Sequence, residues 1–322
     1  MPPPTRIPVI VGPTAGGKTA LAIEVAREFE RRALGAGEVI SADAFQVYRH
    51  MDIGTGKATP AERQGIPHHL LDILEPHDPE PFTVARWLEL AERTITDIRS
   101  RAHTPILVGG THLYIKSFLE GMFDGPGADE DLRAALRTLT PDALRAELER
   151  VDPGAAARIH PNDQRRTIRA LEVFRLTGTP ISEHQSQWDR GARADALLFG
   201  LDWPTALINP RINARVKAMM DGGFADEVRA LLRDGKLGAQ AREALGYKQL
   251  AAWLDAGGEP GALDQTVERI KIETRRFAKN QRTWLRRLRG ITGSCWLDPT
   301  ASDPGIMAQH IVSQCVATAD PR

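Results

Sequence analysis

The sequence predicts an α/β protein, a parallel sheet flanked by helices and interrupted by an inserted helical subdomain. Three observations lead there. The apolar run Ile7–Val11 feeds a glycine-rich loop and then an amphipathic stretch, giving strand, loop and helix in order. Buried-strand patterns at 38–43 and 105–111 alternate with helical ones, as in a parallel sheet built of βαβ units. Between 122 and 195 the pattern changes to short helices separated by Pro and Gly, and a strand at 197–201 resumes the core. The expected division is a core of residues 1–121 and 196–322 around an insert of 122–195.

The loop after the first strand is Gly12-Pro13-Thr14-Ala15-Gly16-Gly17-Lys18-Thr19. It matches Gly, four residues, Gly-Lys-Thr, the P-loop pattern, and the sheet is accordingly expected to be P-loop NTPase-like. Glycines let the backbone curl so that its N–H groups point inward, and the following helix N-terminus adds positive charge. Lys18 then reaches phosphate oxygens and the Thr19 hydroxyl suits Mg²⁺. Leu21, Val25, Phe29 and Ala33 repeat every fourth residue and give that helix its buried face.

The second strand delivers Asp43 at its C-terminal end, where ligands bind in open parallel sheets. Facing the phosphate cradle and capping a turn are equally open roles for it at this stage. Residues 44–68 are turn-rich and too polar for core, the composition of an active-site loop. His68 and His69 follow, but adjacent residues of an extended chain point to opposite faces and no further ligand stands nearby, so no metal site is expected. A helix over about 83–101 buries Val84, Trp87, Leu88, Ala91, Ile95 and Ile98.

The third strand ends in Gly109-Gly110-Thr111, where an ATPase would place an acidic residue for Mg²⁺. Glycine there permits close approach of a backbone or ligand and argues against a conventional nucleotide hydrolase. In the insert, Asn162 or Asp163 caps a helix that Gly178 ends, made basic by Arg165, Arg166, Arg169 and Arg175. Arg211, Arg215 and Lys217 lie on a later helix, and a final helix is expected from about 263 to 289. Residues 269–289 hold nine Lys or Arg and one acidic residue, Glu273. At about 100° per residue, Arg275, Lys279, Arg282, Arg286 and Arg289 share one sector, with Ile270, Phe277, Trp284 and Leu288 opposite. A packed face and a cationic face able to follow a polyanion are expected.

Composition sets the outer bounds. Of 322 residues, 42% are hydrophobic, and 42 basic residues balance 42 acidic ones. A nucleic-acid partner must therefore meet a local patch rather than the field of the whole molecule. Two cysteines, Cys295 and Cys315, make no disulfide framework. A cytoplasmic protein is expected, with no export signal in the opening residues and no membrane association.

With these motifs in view, the chain resembles the tRNA dimethylallyltransferase (tRNA isopentenyltransferase) family of bacterial type. The resemblance runs through GPTAGGKT from Gly12, ISADAFQVYRHMDIGTGK from Ile40, IPHHLLDIL from Ile66 and ILVGGTHLYIKSFLEG from Ile106. It continues in IHPNDQRRTIRALEVFRLTG from Ile159, LGYKQL from Leu245 and TRRFAKNQRTWLRR from Thr274. It implies transfer of a dimethylallyl group from dimethylallyl diphosphate to the exocyclic amine of the adenosine 3′-adjacent to the anticodon, giving isopentenyladenosine. A diphosphate donor needs a phosphate cradle and Mg²⁺ but no adenine pocket. By resemblance Asp43 engages the attacking amine, together with Lys18, Thr19 and Thr111 in the catalytic set. Asp43, Ala44, Phe45, Gln46 and Thr111 contact the target nucleotide. Arg133, Arg165, Arg166, Thr167, Ile168 and Arg169 bind the anticodon stem-loop of tRNA, with Arg275, Lys279 and Arg282 of the basic helix. A monomer is expected.

The departures from the family pattern are Gly16 for Ser, Ala44 for Ser, His112 for Gly, Arg165 for Gln, Gln249 for Glu and Thr205 for an Arg near the diphosphate. If Thr205 leaves a gap in the anion site, Arg211 or Arg215 is placed to fill it. The alternative readings are a P-loop small-molecule kinase and a catalytically impaired RNA-binding homologue.

Overall fold

The computed structural model describes residues 5–122, 125–184 and 193–317. The opening residues 1–4, where no export signal is expected, and 185–192 near the end of the expected insert lie outside the described residues.

Six parallel strands form one sheet in the order β3-β2-β4-β1-β5-β6. They are β1 (Ile7–Val11), β2 (Gly37–Ala42), β3 (His68–His69), β4 (Thr104–Gly109), β5 (Ala196–Leu201) and β6 (Cys295–Leu297). The first unit carries helices α1 (Lys18–Arg31), α2 (Pro60–Arg63), α3 (Val84–Ser100) and α4 (His112–Glu120). A second compact unit, Glu120–Gly191, holds α5 (Glu130–Arg137), α6 (Pro141–Val151), α7 (Pro153–Arg158), α8 (Gln164–Thr177) and α9 (Ile181–His184). The first unit resumes with α10 (Thr205–Asp221), α11 (Phe224–Arg233), α12 (Ala239–Arg242), α13 (Tyr247–Asp255), α14 (Pro260–Leu288) and α15 (Pro304–Ala317).

β1 pairs with β4 on one side and β5 on the other, Val9 opposite Leu107 and Leu198. The chain leaves β1 for β2, two places away, so the crevice beside the C-terminal end of β1 is the switch point of this sheet. Both faces are covered, which is why the central strands are apolar throughout rather than alternating. One layer buries Trp87, Ile95, Tyr247 and Leu285; the other buries Leu21, Val25, Phe29, Ile311 and Val312.

Two expectations are corrected. The periodic face of α1 stops at Phe29, because Ala33 lies beyond the helix end with φ 55° and forms the left-handed turn that reverses the chain toward β2. The helix expected to close the chain is followed by β6 and α15. That strand extends the sheet beside β5, and Met307, Ala308, Ile311, Val312 and Cys315 of α15 pack into the α1 layer.

Candidate active site

The phosphate loop is built as its composition requires. Ala15 at φ 59° and Gly17 at φ 81° take left-handed backbone, turning the loop back over itself, and Gly16 N–H donates to the Pro13 carbonyl at 3.1 Å. A Cβ on Gly16 would stand 2.8 Å from that carbonyl and 3.2 Å from Nε1 of Trp203, whose indole N–H donates to the Gly16 carbonyl at 3.0 Å. Glycine in place of the common Ser is thus matched to the tryptophan pressed on the loop. Lys18 Nζ donates to the carbonyls of Gly12 (3.1 Å) and Pro13 (2.9 Å), holding the loop closed over its own ammonium. Burial pulls the Lys18 pKa down to about 8, Arg215 adds to that, and Asp43 opposes it. Thr19 is exposed in the first turn of α1.

Asp43 caps the turn that follows β2. Its Oδ1 accepts the backbone N–H groups of Phe45 (2.9 Å) and Gln46 (3.2 Å), which fixes the carboxylate through one oxygen and leaves the other as an acceptor. It also lies close enough to act electrostatically on both Lys18 and Arg215. Thr111 Oγ1 accepts the N–H of Ala44 at 3.1 Å, tying the end of β4 to the start of the Asp43 loop. Ala44 and Phe45 are partly exposed along that loop. Gln46 turns inward: Oε1 accepts from Ser41 Oγ (3.1 Å) while Nε2 donates to the carbonyls of Thr55 (3.3 Å) and Gly56 (3.5 Å).

The rest of the loop is held by buried charge. Lys57 Nζ donates to the Tyr48 carbonyl (2.8 Å), Asp52 Oδ1 (2.6 Å) and Asp72 Oδ1 (2.5 Å). The Glu227 carboxylate takes the N–H groups of Asp52, Ile53 and Gly54 and the Tyr247 hydroxyl. His69 Nε2 and His103 Nδ1 each lie 2.6 Å from Glu38, at the opposite end of the sheet, and no three-residue metal cluster occurs among the described residues.

Gln281 is the site residue that motif reading left out. Its Oε1 accepts the N–H of Thr14 at 2.9 Å and its Nε2 donates to the Gly110 carbonyl at 3.0 Å, joining the phosphate loop to the end of β4. Gly110 makes room for this amide, and Gly109 for the neighbouring strand. A Cβ on Gly109 would lie 2.1 Å from the Ala42 carbonyl, and one on Gly110 would lie 2.5 Å from the Gln281 amide. A neutral amide from α14 thus occupies the ground where an ATPase keeps its acid.

Thr205 is engaged by a neighbouring arginine. Its hydroxyl accepts Arg282 Nη1 at 2.5 Å, and Arg215, donating to the Gly56 carbonyl at 3.3 Å, supplies a cation beside Lys18. Burial lowers the pKa of Arg215 too. Arg211 stacks 4.6 Å over Trp203 and donates from Nε to the Ala15 carbonyl of the phosphate loop at 3.1 Å.

The cationic face of α14 is displaced from its expected sector. Arg275 donates to Asn213 Oδ1 at 2.5 Å and Arg282 to Thr205, so α10 covers part of that sector. The buried residues are Ile270, Ala278, Gln281, Leu285 and Leu288, whereas Phe277 is exposed. The packed arc is rotated by roughly a sixth of a turn, and the solvent side carries Arg276, Lys279, Arg286 and Arg287. In the second unit, Arg165 and Arg166 are exposed, whereas Thr167 and Ile168 are buried. Arg133 and Arg169 converge on the buried Glu172, with Arg169 Nη1 at 2.5 Å. Their charges are largely matched within the unit, where Leu136, Leu148 and Leu171 form the apolar centre.

A parallel sheet with a phosphate loop at its switch point, a strand-end carboxylate and no acid after β4 defines a phosphate-binding α/β protein built for group transfer rather than nucleotide hydrolysis. Family comparison narrows this class. The IPP transferase model matches residues 46–288 and the isopentenyl transferase model residues 5–75. The chain belongs to the IPP transferase family. It is 44% identical to the tRNA dimethylallyltransferase of Geobacillus thermodenitrificans over 300 residues, 92% of this chain and 91% of that one. With the Geobacillus kaustophilus enzyme of the same name it shares 43% over 319 residues, 97% of this chain and 96% of the other. Among solved structures, the Bacillus halodurans tRNA isopentenylpyrophosphate transferase superposes with a TM-score of 0.68 at 38% identity, covering 97% of both chains. A eukaryotic dimethylallyltransferase acting on tRNA gives 0.77 at 30%, covering 93% of this chain and 74% of that one.

Proposed function

We infer that this protein transfers the dimethylallyl group of dimethylallyl diphosphate to the exocyclic amine of the adenosine 3′-adjacent to the anticodon of tRNA. The observation that carries the reading is the pairing of a complete phosphate loop with Gly109-Gly110 and Gln281 in place of a metal-binding acid, in a member of this family.

The allylic C–O bond breaks with its electron pair leaving on diphosphate, and the amine nitrogen forms the new bond to carbon. Negative charge grows on the leaving group, where the backbone N–H groups of Gly17, Lys18 and Thr19 and the side chains of Lys18 and Arg215 stabilise it. Lys18 exchanges its two loop carbonyls for phosphate oxygens, and protonation is favoured once the anion is present. The proton released by the amine passes to the second oxygen of Asp43, whose first is committed to Phe45 and Gln46. Thr111 keeps that carboxylate in register through Ala44. The single hydroxyl of Thr19 suits Mg²⁺, which takes most of its ligands from water and phosphate; when bound, it would neutralise further charge on the diphosphate. Ala44 and Phe45, with Arg165, Arg166 and the outward cations of α14, form the RNA-contacting surfaces of this reading.

The test incubates the protein with unmodified tRNA and either dimethylallyl diphosphate labelled in the prenyl group or γ-labelled ATP. Prenyl label is expected in tRNA. Movement of γ-phosphate, or of neither label, would overturn the reading.

A further inference from the structure

Two consecutive carbonyls of the phosphate loop are held by side chains from the segment after β5. Trp203 Nε1 donates to the Gly16 carbonyl at 3.0 Å, and Arg211 Nε donates to the Ala15 carbonyl at 3.1 Å. The Arg211 guanidinium lies 4.6 Å over the indole, so the two holds brace each other. Ala15 and Trp203 also rest together on a small apolar cluster of Ile208, Ile212 and Ala278. Ala15 needs that support, because a residue other than glycine at φ 59° is strained and keeps such backbone only where its surroundings fix it. A peptide unit is planar and trans, so its N–H points opposite to its C=O. Holding the Gly16 carbonyl on Trp203 therefore turns the Gly17 N–H away from the indole.

We propose that Trp203 is a positioning residue for diphosphate, aiming the Gly17 N–H by holding the Gly16 carbonyl, and that it works as a pair with the missing side chain at position 16. A Cβ on Gly16 would stand 3.2 Å from Nε1 and 3.3 Å from Cδ1 of Trp203, and 2.8 Å from the Pro13 carbonyl. Any side chain there displaces either the indole or the loop backbone, and the loop is itself pinned through Ala15 by Arg211. Donors fixed in advance need no reorganisation as charge develops on the leaving group. The effect of Trp203 therefore falls on diphosphate and not on RNA. The proposal rests on the diphosphate reading above and adds to it a residue that acts through the loop.

The experiment measures Tm and the binding of inorganic diphosphate with Mg²⁺ and of an unmodified anticodon stem-loop RNA. It compares the full-length protein with Trp203→Phe, Trp203→Ala, Gly16→Ser and Gly16→Ser/Trp203→Ala. Trp203→Phe keeps an aromatic ring beside Arg211 and loses the N–H. It should weaken diphosphate binding about fivefold, the scale of one neutral hydrogen bond, with RNA affinity and Tm near wild type. Gly16→Ser should weaken diphosphate binding about tenfold beside Trp203, within the cost of an overpacked site, and cause no further loss in the Trp203→Ala background. That non-additivity separates a coupled pair from two independent packing defects. The proposal is overturned if Trp203→Phe binds diphosphate as wild type does, if Gly16→Ser costs the same in both backgrounds, or if RNA affinity falls in step with diphosphate affinity. Wild-type protein that binds diphosphate yet moves no prenyl label to tRNA would instead overturn the functional reading.

Discussion

At the residue scale the site depends on a lysine that is kept poor in solvent until an anion arrives. With its pKa drawn down to about 8 by burial and by Arg215, Lys18 loses its proton as pH rises through that value, whereas in the unfolded chain it would hold it to about 10.5. Donor affinity should therefore fall progressively as pH rises through about 8, since binding requires the charged form. Lys18→Ala should remove that pH dependence and abolish turnover while leaving RNA affinity within about twofold, because the lysine meets phosphate of the donor only. Titrating donor affinity from pH 6 to 10 in both proteins checks this, and an identical pH profile in the two would remove Lys18 from the site. Thr205 gives a second prediction. Since its hydroxyl already receives Arg282, Thr205→Arg sets two guanidinium groups against each other and should lower turnover or leave it unchanged. A rise of about tenfold, equivalent to about 1.4 kcal/mol, would show that a cation was missing after all. Gln249, another departure, also has local partners: its amide bridges Gly246 N–H and the Glu273 carboxylate, where a second carboxylate would repel.

At the scale of elements, α14 acts as both scaffold and charged surface. Replacing Arg276, Lys279 and Arg286 together with Ala should weaken tRNA binding and flatten its salt dependence, by roughly 0.7 to 0.9 unit of log-log slope for each lost phosphate contact. Arg275→Ala and Arg282→Ala should instead loosen the packing of α10 on α14, seen as lower thermal stability with less change in slope. Equal slopes for wild type and the triple variant would return the outer face to ordinary solvated surface. This helix also shows where sequence reading reached its limit. Periodicity assigned Phe277 to the packed side because it counts apolar residues and treats glutamine as polar surface. Gln281 is buried with its amide paired to two backbone groups, the Thr14 N–H and the Gly110 carbonyl, so a polar residue lies on the packed side. The phosphate loop and Asp43 were legible because their chemistry is local: loop, strand end and helix follow within a few residues. Arg215 and Gln281 were harder, since each enters from far along the chain, Arg215 159 residues from Gly56 and Gln281 267 residues from Thr14. The α15 pattern of Met307, Ala308, Ile311, Val312 and Cys315 was present in the sequence but followed a helix that looked terminal.

At the scale of the whole molecule, function and stability lie at opposite ends of the sheet. The C-terminal ends of β1, β2, β4 and β5 carry the loops of the site, while at the N-terminal end the buried Glu38 gathers Arg101, His103 and His69 and so fastens β2, β3 and β4 together. Hydrogen bonds from His103, Arg101 and His69 outweigh the burial cost and hold the Glu38 pKa down to about 2. Its stabilisation is thus present above the usual carboxylate range, near pH 4.5, and is lost as pH falls through about 2. Glu38→Gln should cost about 3 kcal/mol, lowering Tm by roughly 6 to 12 °C, with prenyl transfer at 25 °C little changed. Calorimetry paired with a turnover assay decides it, and an unaltered Tm would show that the cluster holds nothing together.

The central claim is that the phosphate loop holds a leaving diphosphate while Asp43 receives the proton of an attacking adenine amine. Locating the transferred group after a single turnover tests this most directly: tRNA prenylated with labelled donor is digested to nucleosides, and the labelled product is identified and placed in the sequence. The account predicts label solely on the exocyclic amine of the adenosine following the anticodon, with one diphosphate released per label and at least a hundredfold slower transfer in Asp43→Asn, as for loss of a positioned base. Label on another atom or nucleoside, or undiminished transfer by Asp43→Asn, would contradict it.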